Sequence, residues 1–564
     1  MRTPSRQGMV GWLRSGNRCV CSLPACAVLG WMFTGSASSA RADITFQTIA
    51  LSETTGSAFG PNAGSSDVFS AFTSPFLTES GDVRFRATLN GVTSNSGAWS
   101  GGGGNAPEVL VRTGNLVPAG NASFAGVSSP LPTSSDGSIV FTSGSGASGM
   151  WAVIGGVVTP VARVGTADAN LGPDATFASA SNPTISNAGI AHTATLATGN
   201  GGVTSSNHAG IWYRPAGGPT GVIARSGSAG PGPALSGSEQ FTSFTGLSLN
   251  NAGRIAFHAS LLTGTGGVTA SNDTGVWTRT AAVTQPVARE GNTGSTLGPN
   301  AETGRSFSIF STPILNTPGK IVFNATLDDG TEGLFTNTGG TFAAVARSGV
   351  NGPGPNVGSG VNFNSLATNP AFNEQGEVAF RAIVTGTGIS TSNDVGLWAT
   401  VGGSLQAIAR EGPDGPGPAL GAGVIFASVS NSVGLNDSGQ IVFTGTVSGT
   451  NVTTSNDLGL WFWDDGVLSN VLREGQLFDV NPDPLVLDQR TISTISFAAG
   501  GSLDSGRGFA LNSDGDFVVT LGFNNSTSGV FVVSVPEPSA GLLPLLATVA
   551  LAKRRARKRI ASVH

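Results

Sequence analysis

The stretch Leu249-Asn250-Asn251-Ala252-Gly253-Arg254-Ile255-Ala256-Phe257 decides the fold. An Asn side chain bonds its own backbone in a tight turn and Gly accepts positive φ, so Asn-x-x-Gly closes a reversal. The apolar residues after it begin a strand. The line returns as Asn316-Thr317-Pro318-Gly319-Lys320-Ile321-Val322-Phe323, as Asn373-Glu374-Gln375-Gly376-Glu377-Val378-Ala379-Phe380 and as Asn436-Asp437-Ser438-Gly439-Gln440-Ile441-Val442-Phe443. Weaker copies centre on Gly81, Gly137, Gly189 and Gly515, which makes eight, with glycines 56, 52, 64, 66, 57, 63 and 76 residues apart. A fixed-period signal of this length marks a repeat architecture.

Two further markers follow each turn in constant order. Gly, a small or apolar residue and an aromatic occur as Gly97-Ala98-Trp99, Gly149-Met150-Trp151, Gly210-Ile211-Trp212, Gly275-Val276-Trp277, Gly396-Leu397-Trp398 and Gly459-Leu460-Trp461, with Phe335 and Phe531 at the same place in the fifth and eighth units. Arg-x-Gly then occurs at Arg112, Arg163, Arg225, Arg289, Arg347, Arg410 and Arg473. The seventh unit predicts four strands: Val424 to Ser430, Gln440 to Val447, Gly459 to Trp463 and Val467 to Arg473, the last two joined by the hairpin turn Asp464-Asp465-Gly466. A loop rich in Pro and Gly, such as Gly415-Pro416-Gly417-Pro418, leads from one unit to the next.

Four antiparallel strands per unit give an all-β chain and a β-propeller of eight four-stranded blades. The eighth unit ends after its third strand, and Ile44 to Leu51 has the position and character of a missing fourth. The N-terminal strand is therefore expected to complete the last blade by pairing with 529–535. A seven-bladed ring with a stray unit and an open β-solenoid are the competing arrangements. The unit resembles the tandem-repeat family named for an N-x-x-G-x-x-A-F consensus, found on exported proteins with assorted C-terminal anchors. The resemblance spans about residues 44–533, is strongest in units four to seven, and makes the third and eighth blades the degenerate ones. It implies no catalytic activity.

The ends read as addresses. Arg2, Arg6, Arg14 and Arg18, an apolar run from Cys19 to Phe33, and Ala40-Arg41-Ala42 make residues 1–42 a signal peptide, a buried N-terminal helix being the alternative. Its removal takes all three cysteines and leaves no thiol chemistry. At the other end Pro536-Glu537-Pro538 precedes the apolar run Ala540 to Ala552 and a basic tail from Lys553 to Arg559. This segment, 535–564, resembles the PEP-CTERM sorting signal, which implies recognition by the export machinery and by a transpeptidase-like processing enzyme. It also implies transient membrane insertion, with release or re-anchoring at the cell surface or outside the cell, and an association with exopolysaccharide. A plain C-terminal anchor is the alternative, although Pro544 interrupts the run. The repeat body is then 43–534.

Composition agrees with that division. The 84 Gly and 30 Pro among 564 residues are repeated turn chemistry, and 39% hydrophobic against 11% charged residues excludes a disordered chain. Eleven of the 28 basic residues lie in 1–42 and 553–564 and none of the 33 acidic ones does, so the stretch 43–552 carries a net charge of about −16. A body this acidic does not attract nucleic acid or anionic lipid; cations and neutral sugars suit it better.

Catalytic material is sparse. The body holds His192, His208 and His258, contains neither a nucleophile elbow nor a P-loop, and yields no catalytic residue or cofactor site. The repeated Arg reads as a structural fork onto backbone carbonyls or a neighbouring carboxylate at the strand end, tying adjacent blades; the alternative is a ring of guanidiniums facing the channel and holding an anionic glycan. Asp273, Asp394 and Asp457, in repeated Ser-Asn-Asp-x-Gly loops, are candidate Ca²⁺ ligands, with a tight Asx turn as the structural alternative. The expectation is a non-enzymatic exported module for interaction or structure at the cell surface or in the exopolysaccharide matrix. A glycan hydrolase or lyase is the alternative, with Asp479, Asp483 and Asp488 as candidate carboxylates.

Overall fold

The computed structural model describes residues 44–535, apart from 498–510 and short loop stretches. The expected signal peptide, 1–42, and the expected sorting segment from Pro536 on, with Glu537 and Pro538, lie outside the described residues. Each Asn-x-x-Gly turn forms as its chemistry requires: Asn250 Oδ1 accepts the amides of Ala252 (3.0 Å) and Arg254 (2.9 Å), while Gly253, at φ +72°, donates to Asn250 O at 3.0 Å. The turn fixes the register of the two strands that flank it, here Phe241–Leu249 and Ile255–Leu261.

The described strands form eight sheets, and these are the eight blades of a propeller. Blade 7 runs Val424–Leu435, Ile441–Gly449, Leu458–Asp464 and Val467–Arg473, each strand antiparallel to the one before. The strand order places the first strand of a blade innermost and the fourth at the rim. Blade 8 is closed by the N-terminus: Thr45–Leu51 pairs antiparallel with Ser528–Ser534, from Thr45 opposite Ser534 to Leu51 opposite Gly529. The N-terminal strand thus completes the last blade, as the missing fourth strand predicted.

The core is shared between blades. Alternate residues of one strand face opposite neighbours: Ile441, Phe443 and Trp461 pack with Ala379 and Leu397 of blade 6, whereas Val442, Leu460 and Phe462 pack with Phe517 and Val519 of blade 8. One apolar cluster occupies each of the eight interfaces, including that between blades 8 and 1, where Val518 and Val530 meet Phe69 and Phe85. A single sheet has no way to bury both faces alone, so every blade depends on two neighbours.

The degenerate blade is the second. Blade 3 carries four full strands despite its shortened turn at Gly189, while blade 2 shows three, Ile139–Ser143, Gly149–Ile154 and Val157–Arg163. Its innermost segment makes only isolated contacts, such as Thr133 with Ile139. Blade 3 tolerates the loss of its Phe because His192 fills the same place, stacked on Trp212 with ring centroids 6.3 Å apart.

Candidate functional site

Polar groups in repeated positions fall into two sets, one that holds the ring together and one that lines its centre. The turns form the first. Asn250 Nδ2 donates to Asn316 O (2.7 Å), Asn316 to Asn373 O (3.1 Å), Asn373 to Asn436 O (3.0 Å) and Asn436 to Asn512 O (2.9 Å). Ser186 Oγ donates to Asn250 O, the Asp136 amide to Asn187 Oδ1, Arg84 Nε to Gly137 O, and the Ser513 amide to Glu79 Oε2. Every pair of adjacent blades is therefore bonded turn to turn, and the circle closes.

The aromatic marker belongs to the same scaffold. Trp99, Trp212, Trp277, Trp398 and Trp461 are fully buried, and Trp151 nearly so. Each indole Nε1 donates to a carbonyl: Trp99 to Pro61, Trp151 to Ala147, Trp212 to Ala169, Trp277 to Pro233, Trp398 to Pro355 and Trp461 to Pro418, at 2.9–3.2 Å. Except in blade 2, where Ala147 lies between the two strands of the same hairpin, the loop that leads into a blade thus satisfies its buried indole. The preceding Gly makes room: a Cβ on Gly275 would lie 2.5 Å from Ala288 O and 3.1 Å from the Trp277 ring.

The repeated arginines stand at the ends of the outermost strands. Nε of Arg225, Arg289, Arg410 and Arg473 donates to the carbonyl of Asn207, Asn272, Asn393 or Asn456, in the loop between the second and third strands of the same blade. Arg347 instead reaches Thr331 and pairs with Asp329 at 2.9 Å, and Arg112 pairs with Asp67 at 3.1 Å. Arg163 closes the fourth strand of blade 2 opposite Gly149. These contacts fasten rim to loop within a blade rather than one blade to the next.

In the Ser-Asn-Asp loops the Asn does the folding: Asn272 Oδ1 accepts the Thr269 amide at 2.8 Å and its Nδ2 donates to Gly267 O. Asp273 and Asp457 lie against Glu290 and Glu474, and Asp394 acts on Glu411. Burial first, and then this like charge, hold the three glutamates above the usual carboxylate range. Among the described residues no third His, Cys, Asp or Glu joins any such pair. Asp479, Asp483 and Asp488 fold their own loop, Asp479 accepting the amides of Asn481 and Asp488 while Asp488 pairs with Arg490 at 2.7 Å. His192 is fully enclosed and burial drives its pKa to about 3, so it is a neutral core ring. The His208 carbonyl accepts the Leu196 amide at 2.8 Å, next to the loop held by Asn207.

The second set was not singled out by the sequence. Midway along the innermost strands the ladder breaks. Blade 5 stops at Phe310 and resumes at Ile314, and blade 6 stops at Leu366 and resumes at Ala371. The register slips at Thr245/Leu247 in blade 4 and at Val429/Val433 in blade 7, and in blade 3 beside Asn182, which sits at φ +49°. These breaks surround a central cavity of about 1050 Å³. Its wall comes from blades 2 to 7: hydroxyls such as Thr245, Thr312 and Thr368, the amides Asn182, Asn369 and Asn431, and, where blade 6 lacks its inner strand, Arg381 of the strand behind. Arg381 is held by a 2.9 Å bond from Nε to Val429 O. Thr245 is braced by His258 Nδ1 at 2.7 Å, and burial lowers the pKa of that imidazole. The available signal was the recurrence of Ser-Asn-Pro at 181–183, Ser-Thr-Pro at 311–313 and Thr-Asn-Pro at 368–370, each a few residues before a repeated turn.

Among solved structures the chain is similar to the β-propeller domain of the trilobed protease from Pyrococcus furiosus (TM-score 0.36, 9% identity, 72% of this chain and 99% of that one). It is also similar to the acylaminoacyl peptidase of Pyrococcus horikoshii (0.34, 8%, 71% and 52%) and the sialidase of Trypanosoma rangeli (0.26, 12%, 72% and 60%), and so spans about half the length of the peptidase. No curated protein matches the sequence. Residues 47–266 and 259–542 match the profile of a family of unknown function, DUF7453. Among the described residues no helix is long and apolar enough to cross a membrane, and the apolar run Ala540 to Ala552 lies outside them.

Proposed function

The chain belongs to the DUF7453 family, and on this propeller we propose an exported, non-catalytic binding module that works at the cell surface or in the exopolysaccharide matrix. Residues 1–42 direct export. Residues 535–564 engage the membrane until a transpeptidase-like enzyme processes them at Pro536-Glu537-Pro538. One observation carries the binding role: the repeated Asn, Trp and Arg are consumed by the scaffold, while a separate set of hydroxyls, amides and interrupted backbone converges on one cavity. Groups that both donate and accept hydrogen bonds suit a hydroxyl-rich ligand.

The test is co-sedimentation of the full exported chain with exopolysaccharide from its own host, with the polymer's chain length measured before and after. The expected result is saturable retention and an unchanged length distribution. Shortening of the polymer, or release of unsaturated ends, would overturn the reading in favour of a hydrolase or lyase.

A further inference from the structure

The geometry points to a specific ligand class for the central cavity: a mostly neutral oligosaccharide bearing a carboxylate, with Arg381 as its anion contact. This inference rests on the glycan-binding reading above. Three observations carry it.

The first is charge. All 33 acidic residues lie in the stretch 43–552, yet among the described residues none lines the cavity, and Arg381 is the one charged group of its described wall. Among the described residues Arg381 forms no ion pair, and its Nε bond to Val429 O fixes the fork in place. A guanidinium positioned by one bond, with four N–H groups left over, is organised to receive a carboxylate.

The second is the chemistry of the rest of the wall. Asn182, Thr245, Thr312, Thr368, Asn369 and Asn431 are all exposed to the cavity, and each offers both a donor and an acceptor. Among the described residues no aromatic ring lines the wall, so recognition there proceeds by hydrogen bonding and charge rather than by stacking. One cation among many neutral groups matches a ligand with one carboxylate among many hydroxyls. A densely charged polymer would meet the field of a body carrying about −16.

The third is the broken inner ladder. Interrupting the inner strand of blade 6 between Leu366 and Ala371 uncovers Arg381 on the strand behind it. Arg86 occupies the corresponding place in blade 1 and bonds Val127 O at 2.8 Å, but the inner strand of that blade, Val68–Leu77, only slips register between Thr73 and Phe76 without ending, and Arg86 is not among the residues that line the cavity. The interruption is what turns a scaffold arginine into a wall group. The cavity, about 1050 Å³, is at the upper end of small-ligand pockets and has room for a short oligosaccharide rather than one ring.

The experiment is calorimetric titration of the full chain with a tetrasaccharide of three neutral hexoses and one glucuronate, and with the same compound after reduction of its carboxyl to an alcohol. The acid should bind one-to-one and the reduced compound about tenfold more weakly. Arg381→Gln should erase that preference, bringing the acid down to the affinity of the reduced compound, and Ser432→Trp, which fills the cavity from its wall, should abolish both. Equal binding of the two compounds overturns the inference, as does an unchanged preference in Arg381→Gln. If Arg381→Gln fails to fold, the compound pair on the unmodified chain and Ser432→Trp decide. Retention of host exopolysaccharide by Ser432→Trp at the unmodified level would sink the cavity site and leave the binding module standing. No retention by the unmodified chain would sink the module itself.

Discussion

Replacing Asn436 with Ala tests whether the circle of turns holds the ring. Asn436 is 3% exposed, and its side chain makes four hydrogen bonds. Oδ1 accepts the amides of Ser438 (3.1 Å) and Gln440 (2.9 Å), while Nδ2 donates to Gln440 Oε1 (2.7 Å) and Asn512 O (2.9 Å). The amide of Ser438 is partly exposed and finds water. Those of Gln440 and the carbonyl of Asn512 belong to residues that are 3% exposed, and they lose partners that water does not replace. Three buried bonds at about 1 kcal/mol each give a loss of about 3 kcal/mol. Asn436→Ser supplies the control. Ser186 holds this position in blade 3, donating to Asn250 O at 3.0 Å and accepting the Ala188 amide at 3.1 Å, so the serine variant should lose only about 1 kcal/mol. Urea unfolding followed by tryptophan fluorescence measures both, with unfolding rates as the readout should refolding fail. A loss below about 0.5 kcal/mol for Asn436→Ala, or equal losses for Ala and Ser, would refute the claim that these side chains couple blade to blade.

Trp277→Phe removes the bond to Pro233 O and should cost about 1–2 kcal/mol, whereas Trp277→Ala, which also empties a core site, should cost about 3–5 kcal/mol in the same assay. Starting the mature chain after Leu51 takes away the strand paired with Ser528–Ser534 and leaves a bare sheet edge, so sedimentation should show self-association in place of a monodisperse monomer. Glu411 is held above the ordinary carboxylate value of 4.5, so its contribution is fully present below that pH and is lost as pH rises through the raised value. Glu411→Gln should therefore raise the melting temperature at pH 7, and the gain should vanish near pH 4. Arg410→Ala should lower stability, through loss of the bond to Asn393 O, without changing exopolysaccharide retention.

The repeat scaffold was legible because its chemistry is local. Asn436, Gly439 and the strand after them sit within one turn, and Asn436 orients that turn through amides two and four residues along. The strand Val467–Arg473 was read to the residue because Asp465 and Gly466, both at positive φ, set its start. Blade 3 was misjudged for the opposite reason. Its Gly189 copy lacks the consensus Phe, but whether a blade forms depends on the faces of its neighbours, and His192 supplies the missing ring. In blade 2 a weaker copy that still keeps Gly137 and Phe141 did not guarantee a regular inner strand.

Sequence alone determined the repeat, the eight units and the N-terminal strand as the missing fourth member of the last blade. These follow from turn chemistry and from counting, which need no knowledge of distant neighbours. Tertiary structure decided which polar residues are scaffold and which are wall. Arg410 and Arg381 look alike as letters, but one bonds a loop carbonyl at the rim while the other is uncovered at the centre by a gap in the strand before it. Closing a ring brings the midpoints of six inner strands onto one axis, and residues as far apart as Ser128 and Val433 become neighbours around a single cavity. No local pattern encodes that convergence, because it is a property of the closed circle and not of any one repeat.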